Sequence, residues 1–250
     1  MISIEGKWAL VTGASRGIGK LAAKELAKRG CNLILLSRSL EHTAPLIEEL
    51  KVFPISCVGI AADLADPAAV EAALAEIDAK GMRVDIILNN AGVQIAYRTD
   101  YFTTPVSDYT TSFQINTIAP MMICYHFLPK MIANGFGRIV NTTSGIALEP
   151  EQAGYSASKA GLDKVTIDIG SKINGTDVTI NLTDPGWCRT DLGGPKAPNA
   201  PESAIPGVII GAFIDDKQSG RCFCATDYHG MTLEQAVEAA QAKVKAPYKA

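Results

Sequence analysis

Lys7-Trp8-Ala9-Leu10-Val11-Thr12-Gly13-Ala14-Ser15-Arg16-Gly17-Ile18-Gly19 passes from an apolar run straight into a glycine-spaced turn. Residues 7–12 read as a buried strand, and residues 20–29 carry the apolar spacing of a helix that Gly30 ends. Strand, glycine loop and helix in that order have a physical use. Glycine lets the backbone turn tightly and approach a pyrophosphate, whose charge then rests on the unbonded N–H groups and positive dipole of the helix start. Tight turns also call for glycine, but a place between the first strand and the first helix favours a dinucleotide site. On this reading Gly13, Ser15, Arg16, Gly17, Ile18 and Gly19 bind a cofactor.

The alternation continues outward from that stretch. Residues 32–37, 55–60, 84–88, 138–141, 178–182 and 220–225 read as further strands, and Pro67 opens a helix over 67–79. Such repetition with buried apolar strands predicts an α/β fold: a single-domain, Rossmann-type, doubly wound parallel sheet with helices on both faces and ligands at the carboxyl ends of the strands. A chain of 250 residues, 47% of them hydrophobic, suits one domain over 1–250, and no linker-like stretch divides it. Residues 106–133 have a long helical pattern interrupted by Pro120 and Pro129, with Asn116 one turn before the first proline. That asparagine either satisfies backbone freed by the bend or belongs to a polar site; the two are compatible. Residues 231–250 form a C-terminal tail, helical over 232–244.

Charge and composition exclude other classes. The net charge is -3, with lysine and arginine dispersed, which gives no footprint for nucleic acid or an anionic membrane. The start of the chain lacks a signal-peptide pattern and no apolar run reaches spanning length, so a cytoplasmic protein acting on a small molecule is expected. The cysteines (Cys31, Cys57, Cys124, Cys188, Cys222, Cys224) are too irregular for a disulfide framework and read as reduced thiols. Cys222, Cys224 and His229 lack a fourth ligand, so no metal site is expected.

Where the second strand ends, an acidic residue would hold the ribose 2′-hydroxyl of NAD. Ser37 and Arg38 stand there instead, and with Arg16 within reach they suit a 2′-phosphate, so NADP(H) is the expected cofactor. The alternative leaves both arginines solvated and gives Glu41 the selection of NAD. Asp63 and Leu64, then Asn89, Asn90 and Gly92, follow the third and fourth strands and are expected near adenine and ribose, although such residues also cap and turn chains.

Tyr155 and Lys159 are four residues apart on a helical pattern and share one face. A fixed ammonium beside a phenol favours the phenolate and lowers its pKa from about 10, making an acid/base group. The plain alternative is a solvated helix face. Ser144 follows the fifth strand, at the edge where the helix of Tyr155 begins.

Over nearly its whole length the chain resembles the short-chain dehydrogenase/reductase family, with Thr12 to Gly19, Asn89-Asn90-Ala91-Gly92, Asn116, Ser144, Tyr155-Ser-Ala-Ser-Lys159 and Pro185-Gly186 in family order. The resemblance implies that Ser144 orients a substrate carbonyl and that Tyr155 is the acid/base. It further implies that Lys159 binds the nicotinamide ribose and lowers the tyrosine pKa, while Asn116 holds a water linking the lysine to solvent. Pro185, Gly186, Cys188 and Thr190 would grip the nicotinamide carboxamide. The Pro-Gly-Trp-Cys-Arg-Thr-Asp run is similar to that of carbonyl reductases, which implies ketone or aldehyde reduction; a 3-oxoacyl thioester, a steroid or a sugar are alternatives, as is a non-catalytic cofactor sensor. A methyltransferase would share the first glycine turn but would have no use for the Tyr/Lys pair. Residues 187–207, rich in proline and glycine towards their end, are expected to be a substrate lid rather than a plain loop. Ile146, Gln152, Trp187 and Leu192 are the expected substrate contacts beside Ser144 and Tyr155. A homodimer or homotetramer is implied, although the family's usual Asp-Gly-Gly ending is absent, and the interval from Ser144 to Tyr155 is slightly short for the family.

Overall fold

The computed structural model describes residues 1–243. Seven strands form one sheet in the order β3-β2-β1-β4-β5-β6-β7, every neighbouring pair parallel. They are β1 (Trp8–Thr12), β2 (Asn32–Ser37), β3 (Cys57–Ala61), β4 (Ile86–Asn89), β5 (Gly137–Thr142), β6 (Val178–Asp184) and β7 (Cys222–Cys224). The chain winds outward from β1 to β3, then returns to set β4 on the other side of β1. That reversal opens a crevice over the carboxyl ends of β1 and β4.

Helices cover both faces, because strands that are apolar throughout need a cover on each side. On one face, α1 (Gly17–Lys28), α2 (Leu40–Leu50) and α7 (Leu233–Ala242) bury Ala23, Leu26, Leu46 and Val237 against Val11, Leu33 and Leu35. On the other, α3 (Pro67–Ala79), α5 (Ala119–Asn134) and α6 (Ala153–Ile173) bury Val70, Ile77, Phe127 and Leu162 against Leu10, Ile34 and Ile139. The doubly wound reading holds. Sequence periodicity passed over α2, whose pattern is blurred by Pro45 in its interior.

The long helical stretch before β5 is two helices. α4 (Val106–Phe113) runs into a π turn over Gln114–Ile118, and α5 follows. The π turn widens the helix just before Pro120, where a proline ring would otherwise collide with the preceding turn. α5 ends at Gly135, whose left-handed φ of 67° closes the helix. The tail helix extends to Ala242; the last expected position, Val244, and the rest of the tail to 250 lie outside the described residues. Among the described residues no helix is long and apolar enough to cross a membrane.

Candidate active site

The glycine loop lies over the crevice. Gly13 has φ +65°, and a Cβ there would fall 2.9 Å from the Cα of Ala91, so the first turn and the segment after β4 can pack only without a side chain. The Asn90 side chain donates to the carbonyls of Thr12 (3.3 Å) and Gly13 (3.5 Å), and the Ala91 N–H donates to the Thr12 hydroxyl at 3.0 Å. α1 then begins with no side-chain cap and no acidic residue in its first turn. Its first N–H groups are thus left for a ligand.

This loop is one wall of a cleft of about 780 Å³. Of the expected cofactor residues, Gly13, Ser15, Arg16, Gly17, Ile18, Ser37, Arg38, Asp63, Leu64, Asn90, Gly92, Tyr155, Lys159, Pro185 and Thr190 line it. Gly19, Gly186 and Cys188 lie outside the lining. Gly19 packs beneath the loop, where a Cβ would meet the Gly13 carbonyl at 2.4 Å. Gly186 makes its turn at φ +72° while its N–H donates to Asp184 at 2.9 Å. Cys188 is buried, with its thiol donating to the Pro185 carbonyl at 3.3 Å.

Two of the cofactor contacts differ in detail from expectation. The guanidinium of Arg16, in the same cleft lining as Arg38, pairs with Asp191 at 2.6 Å, both side chains well exposed (67% and 70%). The Ser37 hydroxyl is turned inward and donates to the Ser39 carbonyl at 2.6 Å. His42, which sequence reading missed, lines the cleft, whereas Glu41 does not. The available signal was its place in the first turn of the helix that follows β2, where α2 meets the strand ends.

At the other end of the cleft, α6 carries Tyr155 and Lys159, both buried. The Lys159 ammonium donates to the Thr142 carbonyl at 2.7 Å and lies 5.9 Å from the centre of the Tyr155 ring. Burial pulls the lysine down to about 8, opposed by the charges of Asp163 and Asp184. The tyrosine is corrected in direction: burial pushes its phenol up, the Ser144 hydroxyl bonded to it pulls back, and the Asp184 carboxylate pushes further up. Burial is the largest influence on the phenol, and the charge of Lys159 is not among those that move it.

Asn116 sits in the π turn, fully buried, with its side chain spent on protein. It accepts from the Val93 N–H at 2.8 Å and donates to the Val93 carbonyl at 2.9 Å and the Ser158 hydroxyl at 3.0 Å. It thereby ties the segment after β4 to α6 beside Lys159. Pro120, which has no N–H to donate, follows directly on this π turn.

Among the expected substrate contacts, Leu192 lines the cleft and is partly exposed, and Trp187 is exposed with its indole N–H donating to the Gly193 carbonyl at 2.7 Å. The Ile146 N–H donates to the Ser144 hydroxyl at 3.2 Å. Gln152 is buried and donates to the Ile95 carbonyl at 3.1 Å, which joins the segment before α6 to the segment after β4. Between them Leu148 is almost wholly exposed (98%) at φ 61°. The stretch 187–199 is laced by its own bonds: Asn199 and Trp187 are bonded through N–H and side chain, and the Arg189 guanidinium donates to the carbonyls of Ala197 and Pro198.

Comparison with known proteins agrees with this geometry. Residues 7–200 match the family model described as short chain dehydrogenase. The chain is 33% identical over 212 residues to the oxidoreductase UcpA of Escherichia coli K12, covering 82% of this chain and 80% of that one. It is 30% identical over 194 residues to the 3-oxoacyl-[acyl-carrier-protein] reductase FabG of Aquifex aeolicus, covering 76% and 77%. Among solved structures, a metagenomic short-chain oxidoreductase in complex with NADP superposes with a TM-score of 0.76 at 28% identity, over 88% of this chain and 97% of that one.

Proposed function

Because the chain belongs to the short-chain dehydrogenase/reductase family, we propose that it is an NADP(H)-dependent reductase of ketones or aldehydes with Tyr155 as its acid/base. The observation that carries the reading is that Tyr155, whose phenol feels the Ser144 hydroxyl, and a buried lysine stand at one end of a cleft whose other end is the glycine loop. The cleft fits a dinucleotide: an uncapped helix start for the pyrophosphate, close-approaching Gly13, and cationic Arg38 at the adenosine end. The likeness to a relative solved with NADP supports the phosphorylated form.

When bound, NADPH supplies the hydride for the carbonyl carbon. The chain's own residues deal with the oxygen. Ser144 donates one hydrogen bond to the developing oxyanion and Tyr155 donates the proton. Lys159 holds its charge at the Thr142 carbonyl, where it favours the phenolate left behind. Asn116 fixes the segment next to Lys159, and the family resemblance gives it the water that links the lysine to solvent. Residues 187–207 cover the substrate, with Trp187 and Leu192 as its apolar walls. The family likeness to a 3-oxoacyl reductase favours a 3-oxoacyl thioester as the second substrate class to try.

The test is cofactor oxidation, NADPH against NADH, over ketones, aldehydes and 3-oxoacyl thioesters, with Tyr155→Phe in parallel. Loss of the general acid should lower turnover by about 10² to 10⁴ with cofactor affinity largely retained. A variant that still turns over at the parental rate ends the Tyr155 assignment; silence of the parent across the panel while it binds NADPH tightly favours a cofactor sensor instead.

A further inference from the structure

Asp163 has no part in the chemistry proposed so far, yet it stands one helical turn beyond Lys159 on α6, in the register that brings two side chains to one face. One of its oxygens, Oδ1, is shut off from solvent and has no hydrogen-bond partner. The same holds for the hydroxyl of Thr143, which follows β5 and lines the cleft together with Lys159. Burial pushes the Asp163 carboxyl up; the Thr143 hydroxyl and the Lys159 charge pull it back, and Asp184 pushes it further up. A carboxylate withdrawn from water without a full set of partners is costly, and a cation one turn away gives its place a reason.

The ammonium of Lys159 has few charges about it. On α6 it faces Tyr155 and Asp163, and on β6 Asp184; β5 offers the Thr142 carbonyl, while Asn116 in the π turn is neutral. Burial acts most strongly on the lysine, and of the two carboxylates opposing it Asp163 acts more than Asp184. Asp184 has a separate task, since its Oδ1 accepts the Gly186 N–H at 2.9 Å. Cys222 on β7 also feels Asp163, but burial pushes its thiol up and it stays neutral.

Resting on the reading of Tyr155 and Lys159 given above, we propose that Asp163 is a positioning residue for the reduction: its carboxylate is the counter-charge that keeps the buried Lys159 ammonium protonated, and it reaches Tyr155 only through that lysine. The sign follows from the burial. Without the carboxylate, desolvation of the lysine is less opposed, so the ammonium gives up its proton at a lower pH and its support of the phenolate ends there.

The experiment has two arms on the full chain, with Asp163→Asn, Asp163→Glu, Lys159→Met and the Asp163→Asn/Lys159→Met double variant. In the first, carbonyl reduction at saturating NADPH is followed from about pH 6 to about pH 10. Parental turnover should fall as pH rises through about 8. Asp163→Asn should move that limb down by about one pH unit, the effect of one nearby opposite charge, making it roughly fivefold slower than the parent at about pH 8, with the gap narrowing at lower pH. Asp163→Glu should return the limb towards the parental position. The second arm is urea denaturation at about pH 7 without cofactor or substrate. There Asp163→Asn should lower the midpoint of the parent but not that of the Lys159→Met chain, because only the first loses the partner of a buried charge. An Asp163→Asn chain with the parental limb, or one whose midpoint falls equally with and without Lys159, overturns the proposal. A parent silent on every carbonyl tried, with midpoints still coupled in this way, leaves the charge pair standing and refutes the catalytic reading alone.

Discussion

Replacing Gly19 by alanine tests how closely the helix start must approach the glycine loop. Gly19 lies within α1, where alanine should on propensity alone gain about 1 kcal/mol. The added Cβ, however, would stand 2.4 Å from the Gly13 carbonyl oxygen and 2.5 Å from the Asn90 amide nitrogen. Both neighbours are fixed: the first is backbone, and the second holds the Thr12 and Gly13 carbonyls. The loop must therefore move away from α1 by more than half an ångström to reach even a tight contact of about 3 Å. Such overpacking costs about 1–3 kcal/mol, and after the propensity gain the net loss of stability should be at most about 2 kcal/mol. Cofactor binding should suffer more, because the displaced atoms are those expected against the pyrophosphate, and a shift approaching an ångström in a positioned group costs up to about 10²-fold. Urea denaturation and NADPH titration of the same preparation measure both. A Gly19→Ala chain with parental cofactor affinity refutes the argument that this contact sets the loop.

Two other substitutions separate charge effects from packing. Asp191→Asn releases Arg16, so NADPH affinity should rise by at most about fivefold, the worth of an exposed ion pair; a weakened affinity would mean that the pair holds the cleft in its binding form. Lys159→Met removes a buried charge while keeping the stem. The native pKa of about 8 against 10.5 means that below about pH 8 the burial opposes folding by about 3 kcal/mol. Between those two values the unfolded chain holds a proton that the native one has released, so parental stability gains with rising pH. The methionine variant should accordingly unfold at higher urea at pH 7, by an amount reduced for the lost bond to Thr142, and its advantage should vanish as pH rises from about 8 to 10.5. It should also be inactive; equal denaturation midpoints at pH 7 would contradict the lysine's burial penalty.

Much of the fold was legible in local pattern. The apolar run into Gly13-Ala14-Ser15-Arg16-Gly17-Ile18-Gly19, the opening of α3 at Pro67 and the strands of the parallel sheet depend on residues close in the chain, so period and turn chemistry disclose them. α2 was not legible, since Pro45 disturbs its spacing and its stability comes from burying Leu46 and Leu50 against the sheet. With α2 went His42. The break at Pro120 was expected, but its form was not: the π turn before it carries Asn116, which bonds at once to the segment after β4 and to α6.

By itself the sequence determined the alternation of strand and helix, the glycine turn and the order in which Ser144, Tyr155 and Lys159 arrive. Only the tertiary structure decided that Arg16 faces Asp191, that Gly19 and Cys188 support the cleft from outside its lining, and that the Tyr155 phenol is raised rather than lowered. The reason is physical. Periodicity and turn geometry are carried by neighbours in the chain, whereas burial, charge pairing and pKa depend on which distant segments exclude water from a group, and no local pattern records that.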